Sequence, residues 1–152
     1  MPEGHSVHRI ARQFDRNFVG KTMSASSPQG RFAEGAAVLD GRQAVSVQAV
    51  GKQMFLEAEG DLWLRVHLGL YGTFTEVPVP MPEPVGAVRL RIEGDEYGVD
   101  LRGPTACELY TPADLDALTA RLGPDPLRSD ADPERAWQAI ARSRRPVGAL
   151  LM

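Results

Sequence analysis

The segment AVSVQAVGKQMFLEAEGDLWLRVHL, residues 44–68, decides the fold class of this chain. Residues 44–50 alternate apolar and polar side chains, which is typical of a β-strand with one buried face. Gly51 and Lys52 interrupt the alternation, and residues 53–58 and 62–68 continue as two more extended segments. Successive strands joined by such short turns lie antiparallel to each other. The segment therefore predicts an antiparallel sheet.

Four more strands are predicted on the C-terminal side of this segment, at residues 71–77, 88–92, 97–101 and 107–110. Four prolines between residues 78 and 84 form a stiff connector that cannot be a central strand. Residues 93–96 form the predicted turn of a hairpin between the second and third of these strands. About seven strands with short turns favour a two-layer antiparallel β-sandwich or a flattened barrel.

The segment before the strands has a helical pattern. Between residues 3 and 18, apolar side chains recur at the spacing of an amphipathic helix, at Val7, Ile10, Ala11, Phe14 and Phe18. Val19-Gly20-Lys21 then ends the predicted helix. Residues 30–41 indicate a loop that contains one helical turn.

A second helical region follows the strands. Thr111-Pro112-Ala113-Asp114 is typical of a helix start, and the chain breaks again at residues 123–126. Asp132-Pro133-Glu134 starts another helix, whose apolar stripe is Trp137, Ile140 and Ala141. We therefore predict an α+β chain with two parts. Residues 1–110 form the sandwich domain with its N-terminal helix, and residues 111–152 form a linker helix and the start of an all-helical domain.

The last residues, Val147 to Met152, resemble a helix that is cut off without a cap, a glycine stop or a polar tail. Exposed apolar ends of this kind are uncommon in finished proteins. We therefore expect a fragment of a longer protein, prone to self-association through Leu150, Leu151 and Met152. The alternative is a short C-terminal helix that docks on the sandwich.

Composition excludes several classes of protein. The chain has no long apolar run and no basic-then-apolar start, which argues against a membrane span and a signal peptide. Cys107 is the only cysteine, so an internal disulfide and a multi-cysteine zinc site are excluded. We therefore expect a cytoplasmic protein. The net charge of −3 argues against a strong grip on nucleic acid, although the first 70 residues are net basic.

The start of the chain carries a candidate nucleophile. If Met1 is removed, Pro2 becomes a secondary amine that can attack an aldehyde-like carbon and form an iminium. Glu3 directly behind it can move protons. The positive end of the following helix disfavours added positive charge on the amine, which keeps more of it unprotonated. The alternative is an ordinary start with proline in the first turn, where its missing N–H costs nothing.

Three segments, Pro2-Glu3-Gly4, Val50-Gly51-Lys52 and His67-Leu68-Gly69-Leu70-Tyr71-Gly72, together resemble the formamidopyrimidine-DNA glycosylase and endonuclease VIII family. The resemblance extends over the whole chain, because residues 122–127 look like the start of the family's helix–two-turn–helix domain. Residues 145–152 look like the helix before that domain's DNA-gripping turn. The resemblance implies that the full-length protein is a cytoplasmic, nucleoid-associated enzyme that removes oxidised bases from damaged double-stranded DNA and cleaves abasic sites. This chain alone, which lacks the DNA-gripping turn, is expected to have little of this activity. The resemblance implies no cofactor in this chain, and any zinc would belong to a finger in a missing C-terminal part.

The resemblance also implies roles for individual residues. Pro2 is similar to the nucleophile that attacks the anomeric carbon of the sugar and displaces the damaged base. Glu3 is similar to the acid that protonates the sugar ring oxygen. Lys52 is similar to a lysine that contacts a phosphate beside the lesion and supports catalysis.

Four further residues are implied to contact DNA. His67 is similar to a phosphate-contacting position, and Arg102 lies where the chain leaves a strand and is a looser match. Leu70 and Tyr71 look like wedge residues that fill the gap left by a flipped-out nucleotide. No metal site is expected, because no carboxylate or cysteine pattern completes the pair of His5 and His8.

The chain also departs from the family pattern. Ser6 replaces a second glutamate, and Gly69 stands where endonuclease VIII relatives often have glutamine. Leu68-Gly69-Leu70 is closer to the formamidopyrimidine branch and Tyr71 to endonuclease VIII. We favour an actinobacterial endonuclease VIII-like protein, because of its first residues and its Arg/Ala/Pro-rich composition. The alternatives are a non-catalytic module on the same fold that binds DNA lesions or proteins, and a small β-barrel that binds an apolar ligand.

Overall fold

The predicted N-terminal helix forms α1, Gly4–Phe18, in the computed structural model, which describes residues 1–150. Its apolar stripe is buried, and the rings of Phe14 and Phe18 lie 5.1 Å apart between their centroids. Glu3 precedes the helix in an extended conformation, and its side chain makes no hydrogen bond to the helix start. Its carboxylate is therefore free to take part in contacts outside the helix.

Eight strands form the body of the molecule. They are β1 Ser24–Ser26, β2 Ala44–Val50, β3 Gln53–Ala58, β4 Leu62–His67, β5 Thr73–Pro78, β6 Val88–Glu93, β7 Tyr97–Arg102 and β8 Ala106–Tyr110. One antiparallel sheet has the order β1-β6-β7-β5, and the other has the order β2-β3-β4-β8. The two-layer antiparallel sandwich after an N-terminal helix is thus confirmed, including the hairpin of β6 and β7.

Two elements differ from the sequence-based expectation. Strand β1 was not predicted, because three residues are too short to show alternation, yet Ala25 pairs with Ile92 of β6. The region predicted to hold one helical turn forms a seven-residue helix, α2 Ala33–Leu39. Its buried residues, Ala36 and Leu39, lie three apart, a spacing too brief to separate a helix from a turn in the sequence.

The core lies between the two sheets and is closed on one side by α1. Each sheet contributes leucines that are at most 1% exposed: Leu56 and Leu64 from the β2-β3-β4-β8 sheet, and Leu90 and Leu101 from the other sheet. Phe55 is also fully buried, although alternation along β3 places it on the opposite face from Leu56. Both faces of this strand are therefore covered, which fixes the register of the hairpin that it forms with β2.

Three further helices follow the sandwich: α3 Pro112–Arg121, α4 Pro133–Arg142 and α5 Val147–Leu150. The two predicted starts are confirmed, since Thr111 forms a capping box with Asp114 and the Asp132 carboxylate accepts a hydrogen bond from the Arg135 amide at 3.0 Å. The apolar stripe of α4 is not buried within the described part of the chain, since Trp137 is 63% exposed.

Two expectations about the C-terminal part stay predictions. The division after residue 110 and the assignment of the later helices to a helix–two-turn–helix domain are not tested by this fold. The predicted apolar end at Leu150, Leu151 and Met152 lies outside the described residues, except for the backbone of Leu150. Among the described residues, no helix has the length and apolar character that a membrane span requires.

Candidate functional site

The predicted catalytic residues come from two elements that meet at one end of the sandwich. One is the chain start before α1, and the other is the tight turn between β2 and β3, where Gly51 has a φ of +58°. The Lys52 ammonium in this turn lies 3.1 Å from one oxygen of the Glu3 carboxylate and 3.2 Å from the other. Both side chains are more than two-fifths exposed, so the pair is accessible and contributes little to stability.

A cleft of about 240 Å³ opens beside this ion pair. It is lined by Met1, Pro2, Lys52, His67, Gly69, Leu70 and Thr105. The fold thus brings four residues that were predicted from distant parts of the sequence to one place. A larger cavity of about 340 Å³ lies between α3 and the segment that leads to α4, but it contains none of the predicted site residues.

His67 stands at the end of β4, where its carbonyl accepts a hydrogen bond from the Thr105 amide at 2.8 Å. Burial lowers the pKa of His67 below its usual value, and the nearby positive charges of Arg65 and Lys52 lower this pKa further. The imidazole is therefore neutral at neutral pH in the absence of a ligand. It can donate a hydrogen bond to a phosphate, and an arriving anion favours its protonation.

The turn between β4 and β5 presents two large side chains to solvent. Gly72 donates its amide hydrogen to the Leu68 carbonyl at 2.9 Å, which closes the turn. Gly69 has a φ of +66°, and a Cβ at this position would overlap the Thr105 hydroxyl, so only glycine fits. At the tip, Leu70 is 59% exposed and Tyr71 is 84% exposed. Their exposure agrees with the geometry expected of wedge residues, and that role stays a prediction.

Arg102 is the one predicted site residue whose side chain is engaged elsewhere. Its guanidinium donates to Asp100 at 3.0 Å and to the Val85 carbonyl at 3.1 Å. Burial raises the pKa of Asp100, but hydrogen bonds and charge from Arg91 and Arg102 outweigh burial and leave this pKa below its usual value. Arg102 does not line the cleft, and its role in DNA contact stays a prediction without support from this geometry.

Asp125 is a buried residue of the site that the sequence did not reveal. Its Oδ2 accepts a hydrogen bond from the Gly51 amide at 2.6 Å and lies 2.7 Å from Nε2 of His8 on α1. Its Oδ1 accepts from the Leu127 amide at 2.9 Å. Residues 123–126 were interpreted as a chain break at the start of a helical domain, and not as part of the site, because the Gly51 and His8 partners of Asp125 lie 74 and 117 residues away, beyond the reach of any local pattern.

The two histidines of α1 have separate partners. His8 pairs with Asp125, whereas the exposed His5 contacts the Ser6 hydroxyl at 3.3 Å. Within residues 1–150, no group of three metal-ligating side chains comes together. Sequence reasoning also missed Thr105. This residue lines the cleft because the fold places it next to Gly69, 36 residues away in the sequence.

Comparisons with known proteins give a consistent family. Residues 1–107 match the sequence model of the formamidopyrimidine-DNA glycosylase N-terminal domain. The protein Endonuclease 8 1 of Mycobacterium tuberculosis is 54% identical over 100% of this chain, which covers 58% of that relative. The formamidopyrimidine-DNA glycosylase of Parafrankia sp. is 31% identical over 100% of this chain and 60% of that relative. The chain therefore spans less than two thirds of the length of these curated relatives.

Solved structures with the same fold include two complexes with DNA. The formamidopyrimidine-DNA glycosylase of Lactococcus lactis, bound non-covalently to DNA containing an AP site, matches with a TM-score of 0.79 and 18% identity. That match covers 99% of this chain and 62% of the other. MutM in complex with DNA containing carbocyclic 8-oxo-G matches with a TM-score of 0.78 and 19% identity over 99% of this chain and 61% of the other. At these identities the matches establish the fold.

Proposed function

Because the chain belongs to the formamidopyrimidine-DNA glycosylase family, we propose that it carries the catalytic residues of a base-excision-repair DNA glycosylase with abasic-site lyase activity. The observation that carries the proposal is the meeting of the chain start and the Lys52 turn in one cleft, where the Lys52 ammonium lies 3.1 Å from the Glu3 carboxylate. The substrate is an oxidised base in double-stranded DNA.

Pro2 is the proposed nucleophile. In the intact Met1-Pro2 peptide its nitrogen is an amide and cannot attack, so the reaction requires removal of Met1. The freed secondary amine then attacks the anomeric carbon of the nucleotide, and the bond from this carbon to the base breaks. The base leaves with the bonding electrons and takes up a proton from solvent. The product at this stage is a closed-ring aminal, which becomes an iminium linking the protein to the sugar only when the bond from the anomeric carbon to the ring oxygen breaks.

Glu3 is the proposed proton carrier for this step. Its carboxylate can accept the proton that the amine releases on forming the new C–N bond, and can deliver it to the ring oxygen as the sugar opens. The iminium then acidifies the neighbouring C–H bond, and elimination breaks the C–O bond to the 3′ phosphate. A second elimination breaks the C–O bond to the 5′ phosphate. We propose that Lys52 binds a phosphate beside the lesion in these steps and supports catalysis there.

The remaining contacts are proposed to hold an extruded nucleotide. His67 donates to a phosphate at the mouth of the cleft. Leu70 and Tyr71 enter the gap in the base stack, since apolar side chains on a tight turn can replace a base there. The identity of 54% to Endonuclease 8 1 favours the endonuclease VIII branch. A DNA substrate would place the protein with the nucleoid in the cytoplasm.

Borohydride trapping on abasic-site DNA tests the proposal. Reduction turns the iminium into a stable amine, so the form that begins with Pro2 should give a covalent protein–DNA adduct. A form that retains Met1 should give none, because its proline nitrogen is acylated. Equal trapping by both forms would contradict the assignment of Pro2. Absence of trapping, together with binding to abasic-site DNA, would favour the non-catalytic lesion-binding module.

A further inference from the structure

The segment between α3 and α4 places a buried carboxylate, Asp125, at the catalytic end of the sandwich, and this residue is 8% exposed. Both of its oxygens are used inside the protein, one by Gly51 and His8 and the other by Leu127. We infer that Asp125 is a positioning residue, which fixes the turn of Gly51 and Lys52 against the start of α1. As an inference about catalysis, this rests on the proposed function.

The hydrogen bond from Gly51 helps to locate a turn that is not packed on all sides. No atom lies within 4 Å of the place that a Cβ on Gly51 would occupy, outside its immediate neighbours in the chain. The turn is therefore open on that side. Its amide hydrogen, in contrast, is donated to a buried carboxylate at 2.6 Å, the short distance expected for a charge-assisted hydrogen bond.

The same carboxylate also fixes the chain start. His8 lies one helical turn beyond Gly4, and its pairing with Asp125 anchors the first turns of α1. A Cβ at Gly4 would lie 3.5 Å from the Gly51 carbonyl oxygen and 3.9 Å from Leu127. The helix start, the Lys52 turn and residues 125–127 therefore lie close together around this carboxylate.

A second contact from the same segment holds the strand that leads into the turn. The Arg128 guanidinium donates to the Ala49 carbonyl and to the Gln48 side chain, each at 3.0 Å.

Burial raises the pKa of Asp125, yet hydrogen bonds from His8, Gly51 and Leu127 outweigh burial and leave this pKa below its usual value. The carboxylate is thus ionised at neutral pH and available to all three donors.

The position of this turn controls the Lys52 ammonium, whose side chain is 45% exposed and contacts Glu3. A flexible exposed lysine has no burial of its own to define where its ammonium stands. Displacement of a catalytic group by about 1 Å can slow a reaction by about a hundredfold. Loss of the Asp125 hydrogen bond should therefore affect the rate of the chemical step more than DNA binding.

The substitution Asp125→Asn tests this inference with little change in shape. Asparagine has one acceptor oxygen, so it can serve the Leu127 amide or the Gly51 amide but not both, and its own N–H₂ then faces other donors. The matched control is Asp116→Asn, on α3. Asp116 is exposed, and among the described residues no hydrogen bond or ion pair joins its carboxylate to the Lys52 turn or to Arg128.

The first measurement needs no catalytic activity. We expect the Gly51 amide, followed by NMR, to exchange with solvent about tenfold faster or more in Asp125→Asn, and at the original rate in Asp116→Asn. Unchanged exchange in Asp125→Asn would overturn the inference. If this variant does not fold, the original chain is measured instead. Scalar coupling between the Gly51 nitrogen and the Asp125 carboxyl carbon then shows whether the hydrogen bond is present. Absence of this coupling overturns the inference.

The second measurement separates positioning from a merely structural role. In borohydride trapping, Asp125→Asn should lower the rate at saturating abasic-site DNA about tenfold and change the half-saturating DNA concentration less than about twofold. Asp116→Asn should change neither. An unchanged rate despite faster Gly51 exchange would overturn the inference. If the original chain itself does not trap, the proposed function fails, and Gly51 exchange still decides whether Asp125 holds the turn.

Discussion

Two turns line the same cleft and are held in opposite ways. The Gly51–Lys52 turn is tied from outside the sandwich by Asp125, and it carries a charged side chain that contacts Glu3. The Gly69–Gly72 turn is held by its own backbone and by its fit against Thr105, and it carries Leu70 and Tyr71 into solvent. The comparison suggests that a charged group is positioned by distant hydrogen bonds, whereas an apolar wedge is positioned by local backbone geometry.

The largest expected effect is a difference in stability between two variants of the Gly69–Gly72 turn, which we call the wedge turn. One variant changes Leu68 at its base and the other changes Leu70 at its tip. Leu68 is 4% exposed and part of the core, so Leu68→Ala should lower the free energy of unfolding by about 3 kcal/mol. Leu70→Ala should change this free energy by less than about 0.5 kcal/mol, because Leu70 is 59% exposed. Urea unfolding of both variants measures the difference.

Enzyme assays of Leu70→Ala on two DNA substrates test the proposed wedge role of Leu70. Leu70→Ala should slow removal of an oxidised base more than cleavage of a ready-made abasic site, which needs less help to leave the stack. A decrease of about 2 kcal/mol or more in the free energy of unfolding of Leu70→Ala would instead identify Leu70 as a core residue.

A smaller effect is expected when the glycine that starts each turn becomes alanine. Both glycines have a positive φ, +58° at Gly51 and +66° at Gly69, so each substitution should cost about 1 kcal/mol of backbone strain. Gly69→Ala should cost about 1 kcal/mol more, because its Cβ meets Thr105, whereas the space beside Gly51 is open. Equal unfolding midpoints for the two variants would show that the wedge turn yields as readily as the Lys52 turn.

The extent to which the sequence predicted these features follows from the range of the interactions. The strands around Gly51 and the turn at Gly69 were predicted, because alternation and glycine punctuation are local patterns. The exposure of Leu70 was expected from its resemblance to a wedge residue, not from this local pattern. Pro2, Glu3, Lys52 and His67 were grouped by resemblance to a family, and the fold places all four at one end of the sandwich.

The parts that were not predicted depend on contacts between distant segments. Asp125 was missed because its partners on α1 and in the Lys52 turn are far away in the sequence. Arg102 was predicted to contact DNA from its position after a strand, but its guanidinium binds Asp100, a carboxylate that also accepts from Arg91 on β6. Side-chain direction of this kind depends on which charged partner the sheet brings close.

The next effect concerns the charge carried by the Lys52 turn. If Lys52 neutralises one phosphate, Lys52→Ala should reduce the slope of log affinity against log salt by about 0.9. Lys21→Ala is a matched control, since Lys21 is the only other lysine in the chain and pairs with Asp95. Fluorescence anisotropy with a duplex at several salt concentrations measures both slopes. Equal slopes for the two variants would make Lys52 an ordinary surface residue.

The smallest expected effect is a pH dependence at His67, between the two turns. Burial and nearby positive charge lower its pKa in the unliganded protein, so the folded state binds the proton less readily than the unfolded state. Stability from this group is therefore complete above about pH 6.5 and is lost as the pH falls through the folded-state pKa. A phosphate beside the imidazole acts in the opposite direction, because it favours the charged form.

DNA binding should therefore take up a proton at His67 and become about twofold tighter as the pH falls from about 7.5 to about 6, the size expected for one partly exposed ion pair. His67→Gln keeps a donor but cannot gain charge, so its affinity should lack this increase. Anisotropy with a lesion-containing duplex at constant ionic strength, at a series of pH values, compares the two proteins. An identical pH dependence in both would place the phosphate away from His67 and leave Lys52 as the sole charged contact proposed in the cleft.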